Sequence, residues 1–183
     1  MDGPCTLPAN GPALLVCNHI SALDPLILQS ACPRLIRWMM AREYYDQPAL
    51  RWFLRALEAI PVERGGRDLS ATRRAIRALQ AGHIVGIFPE GRIETTRQIE
   101  PFQTGVALVA IKTRVPVYPA YIDGSMRGQG MLEAFIYPQQ ACVRFGPPVL
   151  FDRSDTSDRT VEAATAAIRA AVVSSPDHHS RGC

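Results

Sequence analysis

Residues 13–25 read A-L-L-V-C-N-H-I-S-A-L-D-P, a short apolar run followed by a polar turn and an Asp-Pro pair. The continuous apolar run at 13–17 is typical of a strand buried on both faces of a sheet. Asp24 followed by Pro25 is typical of the beginning of a helix, with Asp24 or Ser21 as the N-cap. The stretch therefore predicts a strand that passes through a short turn into a helix.

His19 and Asp24 stand at opposite ends of that turn, five residues apart. On a regular helix this spacing leaves two side chains about 140° apart, too far around the helix to touch. At a strand-to-helix junction they can meet, and open α/β sheets commonly place functional groups at the carboxyl ends of their strands. A buried Asp24 that accepts the imidazole N–H would make His19 a general base for a hydroxyl group. The spacing alone also fits a capping aspartate and a surface histidine.

The rest of the chain alternates short apolar runs with amphipathic stretches. Further strands are predicted at 35–41, 60–62, 83–88, 115–122 and 142–145, and further helices at 48–59, 69–81, 104–113 and 158–173. This alternation predicts a single-domain α/β sandwich with a largely parallel central sheet flanked by helices. We expect the domain to span residues 13–175, between an N-terminal extension at 1–12 and a C-terminal tail at 176–183.

The composition fits one folded domain, because 183 residues with 47% apolar side chains can bury a core. The formal net charge of +3 points by itself to no nucleic acid, membrane or acidic partner. The charge is uneven, since residues 34–77 contain ten arginines and five acidic residues. Such a basic segment suits phosphate headgroups or an anionic bilayer, and it also fits a solvated surface.

The sequence favours a cytoplasmic protein that would meet a membrane only at its surface. The longest clean apolar run, residues 106–111, is six residues long, whereas a bilayer span needs ~18 to 20. The first twelve residues have no signal-peptide pattern. Five scattered cysteines without metal-ligand spacing favour a reduced compartment. Cys17 is either a nucleophile beside His19 or a small apolar filler at the strand end, and its position favours the filler.

Three further segments follow the N-H-I-S-A-L-D-P run at 18–25: I-P-V-E-R at 60–64, F-P-E-G-R at 88–92 and V-P-V-Y-P at 115–119. The first run resembles the His-x4-Asp signature of the glycerol-phosphate and lysophospholipid acyltransferases. The other three resemble that family's second, third and fourth motifs. Each motif alone is a weak signal, but four in family order over about two-thirds of the chain are a strong one. The resemblance implies a glycerol-3-phosphate acyltransferase-like α/β fold.

The resemblance also implies roles for individual residues. His19 and Asp24 would be catalytic. Arg64 would hold the phosphate of the acceptor, for which a planar guanidinium has the matching bidentate geometry. Glu90 would help position the acceptor, either by a hydrogen bond to its hydroxyl or by orienting Arg64.

Gly91, Arg92 and Pro119 complete the substrate-binding residues that the resemblance implies. Gly91 either leaves room for the substrate or supplies a positive φ. The family's third motif commonly has Thr-Arg or a similar pair after the glycine, whereas residues 92–97 here read R-I-E-T-T-R. Arg92, rather than Arg97, is the expected basic residue because it adjoins the turn. Pro119 would end an apolar strand beside the acyl chain.

The resemblance implies an enzyme that moves a fatty acyl group from a CoA or acyl carrier protein thioester to the free hydroxyl of a lysophospholipid. The first expected acceptor is 1-acyl-glycerol-3-phosphate. The alternative is lysophosphatidylethanolamine or another lysolipid, because F-P-E-G-R-I resembles a variant in domains that reacylate it. A thioesterase and a non-catalytic lipid-binding protein are less favoured, since the chain has no G-x-S-x-G elbow and retains His19, Asp24 and Glu90.

The expected partners are therefore the lysophospholipid, the acyl thioester or its carrier protein, and a membrane surface, with no nucleic acid and no bound metal or cofactor. The protein would lie on the cytoplasmic face of the membrane. Two segments are candidates for the contact: the helix at 48–59 with Trp52 and Phe53, and residues 126–137, M-R-G-Q-G-M-L-E-A-F-I-Y. Both also fit core packing, which is favoured for Phe53.

Overall fold

The fold is built on one mixed sheet with helices on both faces. The computed structural model describes residues 5–64, 68–94, 99–124, 141–151 and 158–175. The strands are β1 (Ala13–Cys17), β2 (Ile36–Ala41), β3 (Ile60–Val62), β4 (Ile84–Ile87), β5 (Val117–Asp123) and β6 (Cys142–Phe145). The helices are α1 (Asp24–Ser30), α2 (Arg42–Tyr45), α3 (Pro48–Ala56), α4 (Leu69–Gln80), α5 (Gly105–Thr113) and α6 (Asp158–Ser174).

The strands lie in the order β3-β2-β4-β1-β5-β6. The first five in this order pair with parallel neighbours, and β6 pairs antiparallel with β5. The predicted α/β architecture with a largely parallel central sheet is confirmed. Because parallel strands end at the same edge of a sheet, the turns after β1, β3 and β4 open on one side of the molecule. We call that side the carboxyl edge.

β1 is buried along its whole length because helices or loops cover both faces of the sheet. On one face, Leu14 and Val16 belong to a core shared with α4, α5 and α6. On the other face, Leu15 and Cys17 pack in a second core that includes Leu28 of α1. Successive side chains of a strand point to opposite faces. A strand covered on both faces therefore needs a continuous apolar run, as the sequence indicated.

Most elements begin and end within two residues of their predicted bounds. The exception is the helix predicted at 48–59, which ends at Ala56. It ends there because Leu57 is the C-cap and Glu58 takes a left-handed conformation with a φ of 51°. The four-residue helix α2 has no counterpart among the predicted elements, since one turn is too short to show helical periodicity.

The predicted N-cap of α1 is wrong. Leu23 occupies the N-cap position and makes no side-chain cap bond, while Asp24 is already the first helical residue. The Asp24 carboxylate instead accepts the backbone N–H groups of Ile20 and Ser21. The carboxylate therefore stabilises the turn before the helix rather than the helix end.

The two candidate membrane segments have different outcomes. Residues 126–137 lie outside the described residues. In α3, Trp52 is 71% exposed, whereas Phe53 is partly buried, as favoured for it. Within the described ranges, no helix is both long enough and apolar enough to cross a bilayer.

Trp38 of β2 lies against Gly86, its register partner in β4. A Cβ atom on Gly86 would lie 2.4 Å from Trp38 Cε3 and 2.8 Å from Ile36 Cγ2. The indole is buried, and it stacks on the Phe88 ring at the end of β4. Gly86 is therefore needed for the close packing of an aromatic side chain that leads toward the carboxyl edge.

Replacing Gly86 by alanine should lower the free energy of unfolding by about 1–3 kcal/mol, the usual cost of adding a methyl group to a filled core. The added methyl group would overlap the Trp38 ring. Urea denaturation monitored by circular dichroism measures the change. The matched control is Gly105→Ala at the start of α5, where no atom lies within 4 Å of the new Cβ. The control should keep or slightly raise stability, and equal stability of the two variants would contradict the packing argument.

Candidate active site

The turn between β1 and α1 brings His19 and Asp24 together. His19 Nδ1 lies 2.9 Å from Asp24 Oδ2. The Asp24 side chain is fully buried, and that of His19 is 15% exposed. The predicted contact between these two side chains is confirmed. Because a carboxylate can only accept a hydrogen bond, Nδ1 is the nitrogen that donates to it, and in the neutral ring the lone pair is then on Nε2.

The same Asp24 oxygen also organises the backbone of the turn. Oδ2 accepts the N–H of Ile20 at 2.7 Å and the N–H of Ser21 at 2.8 Å. Three donors therefore converge on one buried atom. The position of the His19 ring is thus coupled to the conformation of the turn that carries it.

Glu90 fixes the backbone of His19. It lies in the segment after β4, two residues beyond Phe88. Its Oε1 accepts the His19 N–H at 3.0 Å, and its Oε2 accepts the Glu100 N–H at 3.1 Å. The His19 carbonyl in turn accepts the N–H of Glu94 at 2.7 Å. Both backbone hydrogen-bonding groups of His19 are therefore held by the segment that follows β4.

Burial raises the pKa of Glu90 to about 7. The N–H groups of Glu100 and His19 oppose the rise because they stabilise the ionised carboxylate. The carboxylates of Glu94 and Glu100 add to it. Glu90 is thus a buried acid that titrates near neutral pH while holding the backbone of the candidate base.

A stack of three rings supports His19 from the side. The His19 and Phe88 rings are stacked with centroids 4.0 Å apart and planes inclined by 16°. Phe88 and Trp38 are stacked at 4.8 Å with an angle of 7°. The sequence alone does not predict this stack, because the stack requires β1, β4 and β2 to be neighbours and the sequence does not give the strand order. The only available signal was the aromatic residue that opens F-P-E-G-R.

Asn18 is a second residue whose role the sequence alone does not indicate. Its amide Nδ2 donates to the carbonyl of Ile122 at 2.9 Å, and its Oδ1 accepts the Ile122 N–H at 2.8 Å. The side chain therefore binds β5 as another strand residue would, just beyond the last paired residue of β1, Cys17. This bond fixes the point at which the chain leaves the sheet, one residue before His19.

Cys17 has the properties of the apolar filler. It is fully buried and has a free thiol. Burial raises its pKa well above the usual value, and the carboxylates of Asp24 and Glu90 raise it further. A thiol that resists ionisation is a poor nucleophile. Cys5 and Cys32 are also free.

Arg64 lies at the carboxyl edge, but away from His19. It follows β3, and three strand spacings of about 4.8 Å separate β3 from β1, a lateral distance of about 14 Å. Arg64 Nη1 lies 2.7 Å from Glu43 Oε1, and its guanidinium carbon lies 5.7 Å from the centre of the Tyr44 ring. The structure therefore pairs Arg64 with Glu43 and not with the Glu90 carboxylate. Its side chain is 45% exposed and open to a ligand.

Gly91 and Arg92 form the turn after Glu90. Gly91 has a φ of 72°, and a Cβ there would lie 2.2 Å from Gln103 Nε2. The conformational explanation for this glycine is therefore confirmed. Arg92 is exposed and its Nη2 lies 2.7 Å from Glu100 Oε2. Arg92 is therefore linked to the site only indirectly, because its partner Glu100 donates a backbone N–H to Glu90. Arg97 lies outside the described residues.

Pro119 is buried inside β5, opposite Val16 of β1. The expectation that it ends the strand is wrong, because β5 continues to Asp123. Proline cannot donate a backbone hydrogen bond, but its carbonyl accepts the N–H of Gly146 at 2.8 Å. Its neighbour in the chain, Ala120, pairs with Cys17, two residues before His19.

The contact of His19 with a buried aspartate at a strand end is the geometry expected from the first of the four motifs. Glu90, from the third motif, binds the backbone of His19 and not Arg64. The family model described as Acyltransferase matches residues 1–123. The chain belongs to the Acyltransferase family. Among the described residues, no group of three or more His, Cys, Asp or Glu side chains is arranged to hold a metal ion.

Individual relatives agree with this family. The chain is 29% identical over 128 residues to the 1-acyl-sn-glycerol-3-phosphate acyltransferase of Bacillus subtilis, covering 69% of this chain and 63% of that protein. It is 29% identical over 123 residues to the enzyme of the same name from Borreliella burgdorferi, covering 65% and 48%. The chain thus spans less than two-thirds of the length of these relatives.

The fold also matches a solved structure. The crystal structure of the 1-acyl-sn-glycerophosphate (LPA) acyltransferase PlsC of Thermotoga maritima superposes with a TM-score of 0.74. The match covers 100% of this chain and 72% of that one, at 20% sequence identity. At this identity the likeness shows that the two proteins share the fold.

The raised pKa of Glu90 predicts a specific pH dependence of stability. Between the usual carboxyl pKa of 4.5 and the folded value of about 7, the folded protein binds the proton more tightly than the unfolded chain. Stability contributed by this proton is therefore lost as pH rises through this window, by on the order of 1–3 kcal/mol.

Chemical denaturation at a series of pH values should show this loss in the native protein and not in Glu90→Gln. The matched control is Glu162→Gln, which changes an exposed glutamate of α6 and should keep the native pH profile. A Glu90→Gln profile that falls like the native one would contradict the assignment.

Proposed function

We propose that this protein transfers a fatty acyl group from an acyl thioester to the free hydroxyl of a lysophospholipid. The observation that carries the proposal is the 2.9 Å contact between His19 Nδ1 and Asp24 Oδ2. It leaves the second ring nitrogen of a partly exposed histidine available as a base. The family membership supports an acyl transfer reaction, and the lysophospholipid acceptor is consistent with the activity after which the relatives are named.

In the proposed reaction, His19 Nε2 removes the proton from the acceptor hydroxyl while that oxygen attacks the thioester carbonyl carbon. The new C–O bond gives a tetrahedral intermediate, which collapses with cleavage of the C–S bond. The proton passes from His19 to the departing thiolate. The products are the acylated lipid and a free thiol, and no covalent acyl-enzyme is required.

Asp24 would assist in two ways. Its hydrogen bond holds the Nδ1–H tautomer, so that Nε2 is the basic nitrogen. Its buried negative charge also stabilises the imidazolium that forms when the proton is taken. The stacked Phe88 ring restricts the tilt of the imidazole. Together these contacts fix the direction of the Nε2 lone pair before the substrate binds.

The finer features of the reaction are part of the same proposal. We propose 1-acyl-glycerol-3-phosphate as the acceptor, with Arg64 as the phosphate ligand, and a CoA or acyl carrier protein thioester as the donor. The proposed site of action is the cytoplasmic face of a membrane, and no metal or bound cofactor takes part. Lysophosphatidylethanolamine is the alternative acceptor suggested by the sequence F-P-E-G-R-I at 88–93.

Replacing His19 by alanine should lower the rate of acyl transfer by about 10²–10⁴-fold, the usual contribution of a general base. Transfer of a labelled acyl group from acyl-CoA to 1-acyl-glycerol-3-phosphate, resolved by thin-layer chromatography, measures the rate. His83→Ala is the matched control. His83 lies between α4 and β4, at the amino end of β4, whereas the candidate site lies at the carboxyl edge of the sheet. It should retain the native rate.

The same assay separates acyl transfer from thioester hydrolysis. An acyltransferase yields labelled phospholipid in proportion to the acceptor, whereas a thioesterase releases labelled fatty acid without one. Retention of native activity by His19→Ala would overturn the proposed base. A native protein that produced only free fatty acid would overturn the proposed transfer.

Replacing Arg64 by glutamine should raise the KM for 1-acyl-glycerol-3-phosphate and leave the KM for acyl-CoA unchanged. The rise should be roughly 10- to 100-fold, since a hydrogen bond to a charged group contributes about 1.5–3 kcal/mol. Arg73→Gln, which removes an exposed arginine of α4, is the control and should have native kinetics. An unchanged acceptor KM in Arg64→Gln would show that another group binds the phosphate.

A further inference from the structure

A pocket of about 350 Å³ lies along the outer edge of the sheet, beside β3. Three arginines line it: Arg37 of β2, and Arg74 and Arg77 of α4. Tyr45 of α2 and Glu58, two residues before β3, complete the polar part of the wall. The pocket therefore gathers side chains from four separate parts of the chain.

The pocket carries excess positive charge. Glu58 forms an ion pair with Arg37. Among the described residues, no carboxylate forms an ion pair with Arg74 or Arg77. With Glu58 neutralising one of the three guanidinium groups, the polar wall has a net charge of +2. The Asp68 carboxylate at the start of α4 also interacts electrostatically with Arg74, and an anion in the pocket would balance the charge that remains.

The arrangement of these groups suits a phosphate. Arg74 and Arg77 are three residues apart on α4, so they project from the same side of the helix. Each guanidinium presents a planar set of N–H donors that matches two phosphate oxygens. The phenol of Tyr45 adds an O–H donor, and the volume is within the range of small-ligand sites.

This pocket is separate from the candidate active site. Its wall comes from β2, β3, α2 and α4 and the turn before β3, whereas His19 and Glu90 follow β1 and β4. β3 and β1 are about 14 Å apart across the sheet, at about 4.8 Å per strand. Arg64, the proposed acceptor ligand, is not among the residues that line it.

The helix that directly precedes the Glu58 part of the pocket wall in the chain has the composition of a membrane-contacting helix. α3 ends at Ala56, two residues before Glu58, and carries Trp52 with 71% of its surface exposed. Arg51 and Arg55 on the same helix are also exposed. Exposed tryptophan and arginine together favour the interface between lipid headgroups and acyl chains. The occupant that fits both the pocket and this helix is a lipid.

We propose that the pocket binds the phosphate of an anionic phospholipid headgroup and so docks the protein on a membrane surface, with Trp52 inserted beside it. This inference rests on the proposed membrane location and not on the catalytic role of His19. It assigns Arg74 and Arg77 of α4 a function in lipid binding that the reaction itself does not need.

Vesicle co-sedimentation tests the proposal with the full chain. The native protein should bind phosphatidylcholine vesicles that contain phosphatidylglycerol, and bind pure phosphatidylcholine vesicles much more weakly. The double variant Arg74→Gln/Arg77→Gln should bind the anionic vesicles at least about tenfold more weakly, as expected for two basic groups at a membrane surface. Trp52→Ala should also weaken binding, since it removes the inserted ring.

The matched control is Arg73→Gln/Lys112→Gln. It removes the same net charge from exposed positions outside the pocket and should bind nearly as the native protein does. An equal loss of vesicle binding in the control would overturn the proposed binding pocket, because general electrostatic attraction would then explain the binding. If Arg74→Gln/Arg77→Gln bound vesicles like the native protein but had a raised KM for acyl-CoA, the proposal that the pocket binds a lipid would be overturned. The pocket would then bind the phosphates of the soluble acyl donor.

A further variant separates this proposal from the catalytic one. His19→Ala should bind anionic vesicles as well as the native protein does, because His19 does not line the pocket. Native binding by this variant together with lost binding by Arg74→Gln/Arg77→Gln supports the docking site whatever the reaction is. Loss of vesicle binding in His19→Ala would contradict the independence of the two sites.

Discussion

A single buried oxygen, Asp24 Oδ2, accepts hydrogen bonds from the His19 ring and from two backbone N–H groups. A buried carboxylate without such donors would be strongly destabilising, because it has lost the water that stabilised its charge. The turn must therefore close around this oxygen, and the imidazole is one of the groups that close it. The hydrogen bond that orients His19 as a general base is therefore also one of the bonds that allow the Asp24 carboxylate to be buried. This explains how a turn of four residues can hold a reactive side chain in a defined orientation.

The sheet adds the restraints that the turn cannot supply. The hydrogen bond to Asp24 fixes one edge of the His19 ring, whereas the stack on Phe88 fixes its plane. Phe88 rests in turn on Trp38, which requires a glycine at position 86. These contacts come from three adjacent parallel strands, β1, β4 and β2. The position of the His19 ring thus depends on how the aromatic side chains pack in the sheet. The backbone of His19 is held separately, by hydrogen bonds to Glu90 and Glu94.

The parts of this arrangement that depend on local sequence were predictable, and those that depend on strand order were not. The apolar run at 13–17 and the five-residue spacing of His19 and Asp24 predicted the strand, the turn and the contact between the two side chains. The stack on Phe88 and the bond of Asn18 to Ile122 depend on which strands are neighbours, and no local pattern contains that information. The wrong N-cap has a physical reason too, because a carboxylate at the start of a helix can bind N–H groups on either side of it. The Arg64 pairing with Glu43 similarly depends on α2, a helix too short to leave a periodic signal.

The short edge strand β3 has a consequence for the behaviour of the protein in concentrated solution. An exposed strand edge offers unpaired backbone groups to which another chain can add, and this is a common route to aggregation. β3 has only three residues, and the middle one, Pro61, has no N–H to offer. The arginines beside it also place like charges where two copies would approach edge to edge. The same side chains that form an anion-binding pocket therefore help to keep copies of the protein apart.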